Sequence, residues 1–298
     1  MIALRYSTFI LCLVLVGTYV AQGQAYVKLS GGYGFPLASE HLGTSGRQEL
    51  TTSLDPELGF EVPRLFTESE NVHGSYGSGV LINASFGYMF TDQIGVEGMV
   101  SYFIGREYHV QNSGLSKRLD AVLYDSRFTM SMQGKGFFFA PMAKLAANSG
   151  KIQPYLMIGP VFGKLYFDRS QRVTTYDVGL TSTQYAAVEY RGGLAKGARG
   201  IAGAEITIKS SLHFFAEALI TGMNYYPSEA EVTRWEANGS NLLGTLTTRE
   251  RIVKFVDKVT TDTDLPSESE SSPGKQSRFS LPLSSIAANV GLKLNLGN

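Results

Sequence analysis

The feature that most constrains this chain is a hairpin with a very short turn that recurs along the sequence. Stretch 81–103 reads LINASFGYMF, then TDQ, then IGVEGMVSYF, so two apolar arms flank a three-residue connection. Each arm alternates larger apolar residues with small or polar ones, which is the period of a β-strand. The same plan returns at 135–167 and 197–225, and single strands of this kind occupy 25–34 and 284–296. Together these stretches predict eight strands.

Long polar segments separate the hairpins, at 37–76, 106–133, 168–196 and 227–282. Short turns at one end and long connections at the other are typical of a β-barrel that spans an outer membrane. An even number of strands can close an antiparallel sheet, which satisfies all backbone groups without water. We therefore predict an all-β fold: an eight-stranded antiparallel transmembrane β-barrel with short periplasmic turns and long extracellular loops. The alternative is a soluble β-sandwich, which needs apolar faces that pack on each other.

Several finer expectations concern the segments between and within the hairpins. The alternation at the flanks of 106–133 suggests strands that project beyond the bilayer, and 246–260 predicts an extra surface hairpin. The acidic, serine-rich stretch 257–272 predicts a mobile segment. Pro141, Pro154 and Pro160 lie within predicted strands, where proline cannot donate to the ladder, so they predict bulges or strand ends.

The N-terminus has the pattern of a cleaved secretory signal peptide. Arg5 precedes an apolar core at 9–17, and small residues at Ala21 and Gly23 suit the cleavage site. We predict a signal peptide at 1–23 and one barrel domain at 24–298, in the outer membrane of a Gram-negative bacterium. Cys12 lies in the leader, so the mature chain is expected to have no disulfide and no thiolate metal site.

The balance of charged residues limits which classes of partner are expected. The chain has 26 basic and 26 acidic residues, so no excess of positive charge favours nucleic acid as a partner. The expected partners are outer-membrane lipid and, through the long loops, other proteins.

The stretches FGYMFTDQIGVEGMVSYF, GAEITIKSSLHFFAEALITGMNYY and SIAANVGLKLNLGN resemble the outer-membrane β-barrel family that includes OmpX and the barrel domain of OmpA. The likeness covers nearly all of the mature chain. The leader ending AQGQ and the style of the barrel resemble proteins of Bacteroidota, including the PorT-like group linked to secretion. The chain ends Leu296-Gly297-Asn298 and lacks the terminal aromatic of many proteobacterial barrels. The resemblance implies a membrane barrel and leaves its biochemical role open.

Charged residues on the predicted inward strand faces form the first candidate site. An eight-stranded barrel is just wide enough to be filled by side chains, and charges inside it must pair because an unpaired buried charge is costly. We interpret this set, together with Asn83 and Asn289, as a structural lumen charge network; the alternative is a narrow gated pore in which the pairs rearrange. Its charged members are Lys28, Glu97, Lys144, Lys164, Glu205, Glu217 and Lys293.

A second candidate is His73 with Ser75, with Glu68 or Glu70 nearby. Serine, histidine and a carboxylate could form a hydrolase site, and outer-membrane lipid A deacylases resemble this arrangement. The pattern is short and common by chance, so we prefer a polar loop end and predict no enzyme, no catalytic residue and no cofactor. The remaining histidines show no clustered spacing, so no metal site is predicted; they are His41, His109 and His213.

Tyrosines near the predicted strand ends form a third set, which we interpret as aromatic girdles at the membrane interfaces. They are Tyr26, Tyr33, Tyr88, Tyr102, Tyr155, Tyr166, Tyr225 and Tyr226. The sequence as a whole predicts a non-enzymatic outer-membrane barrel with a structural, surface-interaction or envelope-complex accessory role.

Overall fold

A computed structural model of the protein describes residues 24–37, 40–54, 57, 61–118, 121–147, 150–259 and 270–296. The predicted signal peptide at 1–23 lies outside these residues. So does most of the stretch 257–272 that the sequence predicts to be mobile.

The described residues fold almost entirely into β-strands, which confirms the predicted all-β class. Strands of the first part are β1 (Gln24–Pro36), β2 (Glu40–Leu54), β3 (Glu61–Gly74), β4 (Gly79–Met89), β5 (Ile94–Gly105), β6 (Tyr108–Arg118), β7 (Ala121–Ala146), β8 (Ile152–Asp177) and β9 (Leu180–Arg191). Those of the second part are β10 (Ala195–Lys209), β11 (Leu212–Tyr225), β12 (Glu229–Ala237), β13 (Ser240–Asn241), β14 (Ile252–Val256), β15 (Gly274–Ser277), β16 (Leu281–Pro282) and β17 (Ser285–Asn295). A 3₁₀ turn (Leu243–Thr245) and one helical turn, α1 (Thr248–Arg251), complete the elements. Neither of these, nor any other helix in the described part, has the length and apolarity needed to cross a membrane.

Eight of these strands pair in a closed antiparallel cycle, which we call the ring. Its order is β1, β4, β5, β7, β8, β10, β11 and β17, and β17 pairs back with β1. Each ring strand therefore has a partner on both sides, and the cycle leaves no edge. The predicted total of eight strands is too low for the chain, because the described residues contain seventeen.

Three of the ring connections at one end are short, at 90–93, 147–151 and 210–211, whereas those at the other end are long. The first short turn is held by Thr91, whose hydroxyl accepts hydrogen bonds from the backbone N–H of Gln93 and of Ile94 at 3.2 and 3.0 Å. The second turn contains Gly150 in the left-handed region, where glycine carries no steric cost. The chain thus shows the predicted asymmetry of its turns.

The long connections are mostly strands, which corrects their prediction as loops; the continuation of strands into the flanks of 106–133 is as expected. β7 and β8 continue together beyond the ring, and further strands add to both of their sides. The resulting sheet, which we call the extension, has the order β3, β2, β6, β7, β8, β9, β12, β14 and β15. These polar segments become strands because they pair with one another, although little apolar periodicity marks them.

The predicted hairpin within 246–260 is wrong. This stretch holds α1 and β14, and β14 pairs with β12 and β15. α1 begins with a capping box in which the backbone N–H of Thr247 donates to the Glu250 carboxylate at 2.8 Å. That bond holds the pKa of Glu250 below its usual value.

The prolines of the β7–β8 hairpin do not produce the expected bulge. Pairing runs from Phe139 opposite Phe162 to Ala143 opposite Ile158 with an unchanged register. Within this paired region, Pro141 lies opposite Pro160. The ladder of backbone hydrogen bonds between β7 and β8 is therefore interrupted there, without a shift of the strands. Pro154 is the third residue of β8, close to the strand start expected for it.

Side chains of the ring alternate strictly between its interior and its outer surface. Outward residues are mostly apolar and exposed along every ring strand, with Lys164 of β8 and Lys196 of β10 as exceptions; Ile158 is 70% and Leu29 is 67% exposed. Inward residues are charged or polar in the half near the short turns and apolar in the half near the long connections. Stacked rings close that apolar half, with the centroids of Phe167 and Tyr225 5.5 Å apart.

Candidate functional site

Six of the seven predicted lumen charges lie buried inside the ring. They are Lys28, Glu97, Lys144, Glu205, Glu217 and Lys293. The expectation for Lys164 was wrong, because this residue is exposed on the outer surface. In β8 the inward positions are odd-numbered, from Tyr155 to Phe167, so alternation places Lys164 outside.

Lys28 bridges two carboxylates and forms with them what we call the acidic triad. Its Nζ donates to Glu97 Oε1 at 3.3 Å and makes a short contact with Glu217 Oε1. The three residues come from β1, β5 and β11, so the bridge crosses the ring interior. Two carboxylates on one ammonium leave this triad with one negative charge.

Glu205 bridges two ammonium groups and forms with them the basic triad. Lys144 Nζ donates to Glu205 Oε1 and Lys293 Nζ donates to Glu205 Oε2, each at 2.6 Å. These side chains extend from β7, β10 and β17, and they carry one positive charge in total. Each of these six buried charges therefore has a partner of opposite charge, as buried charges require.

Two tyrosines connect the triads. Tyr26 and Tyr155 donate their hydroxyl hydrogens to Glu97 and Glu217 of the acidic triad, each at 2.7 Å. Their ring faces approach the ammonium groups of the basic triad, with Lys144 Nζ 4.2 Å from the ring centre of Tyr155. Each tyrosine thus contacts a carboxylate with its hydroxyl and an ammonium group with its ring face.

Arg199 is an interior charge that the sequence interpretation missed. It is 2% exposed, and its guanidinium donates to Thr221 Oγ1 at 3.0 Å and to Ser101 Oγ at 3.2 Å. None of the described carboxylates forms an ion pair with it. The signal for it was its position in β10, where it shares the inward parity of Glu205.

Some buried polar atoms near the acidic triad have no hydrogen-bond partner among the described residues. They are Glu217 Oε2, Asn83 Oδ1, and both side-chain polar atoms of Asn289. Glu217 and Asn289 are direct neighbours in the β11–β17 register. An unsatisfied buried polar atom carries its full desolvation cost. Among the described residues, the interior around the acidic triad therefore has the most unsatisfied hydrogen-bonding groups.

A cavity of about 290 Å³ opens at the short-turn end of the ring, and we call it the mouth. Its wall includes all three residues of the basic triad, and its rim includes Asp92 of the first short turn. No residue of the acidic triad lines it. His213 also borders the mouth, with its Nε2 3.1 Å from Asn295 Nδ2.

The geometry around Ser75 does not match a serine–histidine pair. Ser75 is buried; its hydroxyl donates to the Pro282 carbonyl at 3.4 Å and accepts from the Gly77 N–H at 3.2 Å. His73 is exposed, and its ring lies 5.9 Å from that of His41. The nearby carboxylates of Glu68 and Glu70 are likewise exposed on β3. Ser75 instead helps to fix the segment that closes the apolar end of the ring.

The predicted tyrosine girdle divides into two groups. Tyr33, Tyr102, Tyr166 and Tyr226 are exposed, and Tyr88 is half-buried. The girdle prediction is wrong for three others, which lie inside the molecule and donate hydrogen bonds there: Tyr26, Tyr155 and Tyr225.

No protein-family model matches the chain, and no curated protein matches it. Among solved structures, the chain is similar to Ail, the attachment invasion locus protein of Yersinia pestis, crystallised in complex with the heparin analogue sucrose octasulfate. That similarity has 12% sequence identity and a TM-score of 0.26, and it covers 92% of this chain and 99% of Ail.

Proposed function

We propose that the protein is a non-enzymatic integral outer-membrane β-barrel, with the ring as its eight-stranded transmembrane part and the extension as an extracellular interaction surface. The observation that carries the proposal is the polarity of the ring. Charged groups lie inside and apolar side chains cover the outside, whereas a closed sheet in water needs its apolar face inside. The predicted leader at 1–23 and the resemblance to Bacteroidota and PorT-like barrels remain predictions.

The membrane part of the proposal is tested by protease treatment of intact cells. Trypsin should cleave the extension, which contains Arg64, Arg127 and Arg234, and spare Lys164 on the outer surface of the ring. The ring fragments should stay in the membrane after an alkaline carbonate wash. Cleavage at Lys164 in intact cells, or release by carbonate, would contradict a membrane-spanning ring.

The interaction role is supported by apolar side chains exposed on the extension. Val178 and Leu180 at the β8–β9 turn are 74% and 78% exposed, and Leu65 and Phe66 of β3 are also exposed. Exposed apolar groups of this kind favour contact with a partner. Val178 adopts a positive φ of 38°, which is unfavourable for a β-branched residue.

Replacing 40–74 by a short glycine–serine linker tests this role. We expect the ring to fold and enter the membrane as before, and the cellular effect of the protein to be lost. The role would be wrong if the deletion kept the effect while substitutions inside the ring abolished it.

The pore alternative gains no support from the interior, because side chains of facing strands meet across it. Both triads and the contact of Arg199 with Ser101 cross the ring. Planar-bilayer conductance that changes with Glu97→Ala or Lys144→Ala would revive the pore.

A further inference from the structure

The buried charges of the ring do not cancel. Four cations and three carboxylates are buried, which leaves one net positive charge; they are Lys28, Lys144, Arg199 and Lys293 against Glu97, Glu205 and Glu217. Along the interior the order is positive at the basic triad, negative at the acidic triad and positive at Arg199. A buried excess charge is costly, so it favours a counter-ion wherever one can reach the interior.

The three residues of the basic triad line the wall of the mouth. Lys144 and Lys293 each carry three N–H donors and use one on Glu205. Their other close contacts among the described residues are tyrosine rings, such as that of Tyr26 at 4.5 Å from Lys293 Nζ. Both ammonium groups therefore keep N–H donors at the cavity wall that Glu205 does not use.

The other charges near the mouth do not remove this excess. The acidic triad does not line the cavity and lies beyond Tyr26 and Tyr155, whose hydroxyls bind it. Asp92 is at the rim on an exposed turn, where solvent screens its charge. The two lysines and Glu205 are nearly buried, so their fields are screened much less.

We propose that the mouth binds a small oxyanion, a carboxylate or a phosphate group, between Lys144 and Lys293. The volume of about 290 Å³ suits a small ligand or the end group of a larger one. Binding would neutralise the positive end of the interior. This site does not depend on the proposed surface interactions, since it lies at the opposite end of the ring from the extension.

Isothermal titration of the purified full chain in detergent tests the site, with sodium phosphate or sodium acetate at constant ionic strength. We expect saturable binding of at least one anion to one site, with a dissociation constant of ~1 mM or tighter. Phosphate binding without acetate binding identifies a doubly charged group, and acetate binding a carboxylate. No saturable binding of either anion to the wild-type protein would overturn the proposal.

Three variants locate the binding. Lys293→Met should weaken it by about tenfold or more. Ala146→Leu narrows the mouth without altering any charge and should weaken it similarly, so the test survives if Lys293→Met fails to fold. Lys209→Met, at the same end but exposed outside the cavity, should bind as the wild type does. Equal binding by wild type and Ala146→Leu would place the anion elsewhere and refute the site.

Discussion

At the scale of single residues, the interior depends on shared partners. Lys28 forms ion pairs with both Glu97 and Glu217, and Glu205 forms ion pairs with both Lys144 and Lys293. Removal of the shared residue from a triad leaves two like charges close together and desolvated. Such a loss is far more damaging than the loss of an exposed charge.

Lys28→Met should therefore lower the free energy of unfolding by about 3–5 kcal/mol, because two buried carboxylates lose their common cation. Urea unfolding in detergent micelles measures the change. Lys254→Met is the matched control, since Lys254 is exposed on β14 of the extension, and its effect should stay within about 0.5 kcal/mol. Similar losses in both variants would contradict a buried charge network.

Ser75→Ala separates a structural role of the serine from a catalytic one. The variant loses the hydroxyl bonds to Pro282 and Gly77, so we expect a loss of about 1 kcal/mol in stability. The lipid A of cells that carry it should keep the wild-type acylation pattern in mass spectrometry. A changed pattern with unchanged stability would restore the hydrolase hypothesis.

At the scale of elements, the β7–β8 hairpin has a defined weak point. Pro141 and Pro160 face each other, and neither has an N–H to donate. The carbonyl of Pro141 points toward β8, because a methyl group added to Gly159 would lie 2.0 Å from its oxygen. The longest hairpin of the ring thus lacks hydrogen bonds near its short turn, while the pairs on both sides keep its register.

Pro160→Val should strengthen this hairpin, because it supplies an N–H opposite the Pro141 carbonyl. We expect a gain of about 0.5–1.5 kcal/mol in the free energy of unfolding. Ala143→Val is the control, as it adds a β-branched side chain to the same outer surface without a new donor. A gain of equal size in the control would assign the effect to strand propensity.

At the scale of the whole molecule, the two parts of the chain differ in the polarity of their outer surfaces. The ring presents a mostly apolar outer surface on all of its strands, while the extension carries mostly polar and charged side chains. Exposed ion pairs link strands of the extension. Arg191 of β9 pairs with Glu229 of the neighbouring β12 at 2.7 Å, and Arg118 of β6 pairs with Glu61 of β3, across β2, at 2.9 Å. Pairs of this type contribute little each, so backbone pairing provides most of its order.

An arginine placed on each part tests this division. Val290→Arg on the outer surface of β17 should cost about 2–4 kcal/mol if that surface lies in hydrocarbon. Leu180→Arg in the extension should cost less than about 0.5 kcal/mol, although Leu180 is the more exposed of the two. The measurement is the fraction of each variant that folds into vesicles. Equal, small costs would contradict a membrane around the ring.

The sequence by itself determined the ring. Alternation with a period of two and very short turns predicted its strands, because each apolar arm must place one face against an apolar environment. The same alternation placed Lys28, Glu97 and Glu205 on inward faces before any partner was known. The number of strands in the chain was underestimated, because polar strands that pair with one another need no apolar face.

Only the tertiary structure decided which charges meet. Lys144 lies about sixty residues from Glu205 in sequence, and Lys28 lies much farther from Glu217; they meet because strand tilt and register bring facing strands together. Lys164 lies outside and Arg199 inside because each follows the alternation of its own strand, whose inward positions the buried residues of β8 and β10 show. Local pattern fixes the face of a strand only where neighbouring residues differ clearly in polarity. Where they do not, the closed cycle of hydrogen bonds determines which side chains face inward.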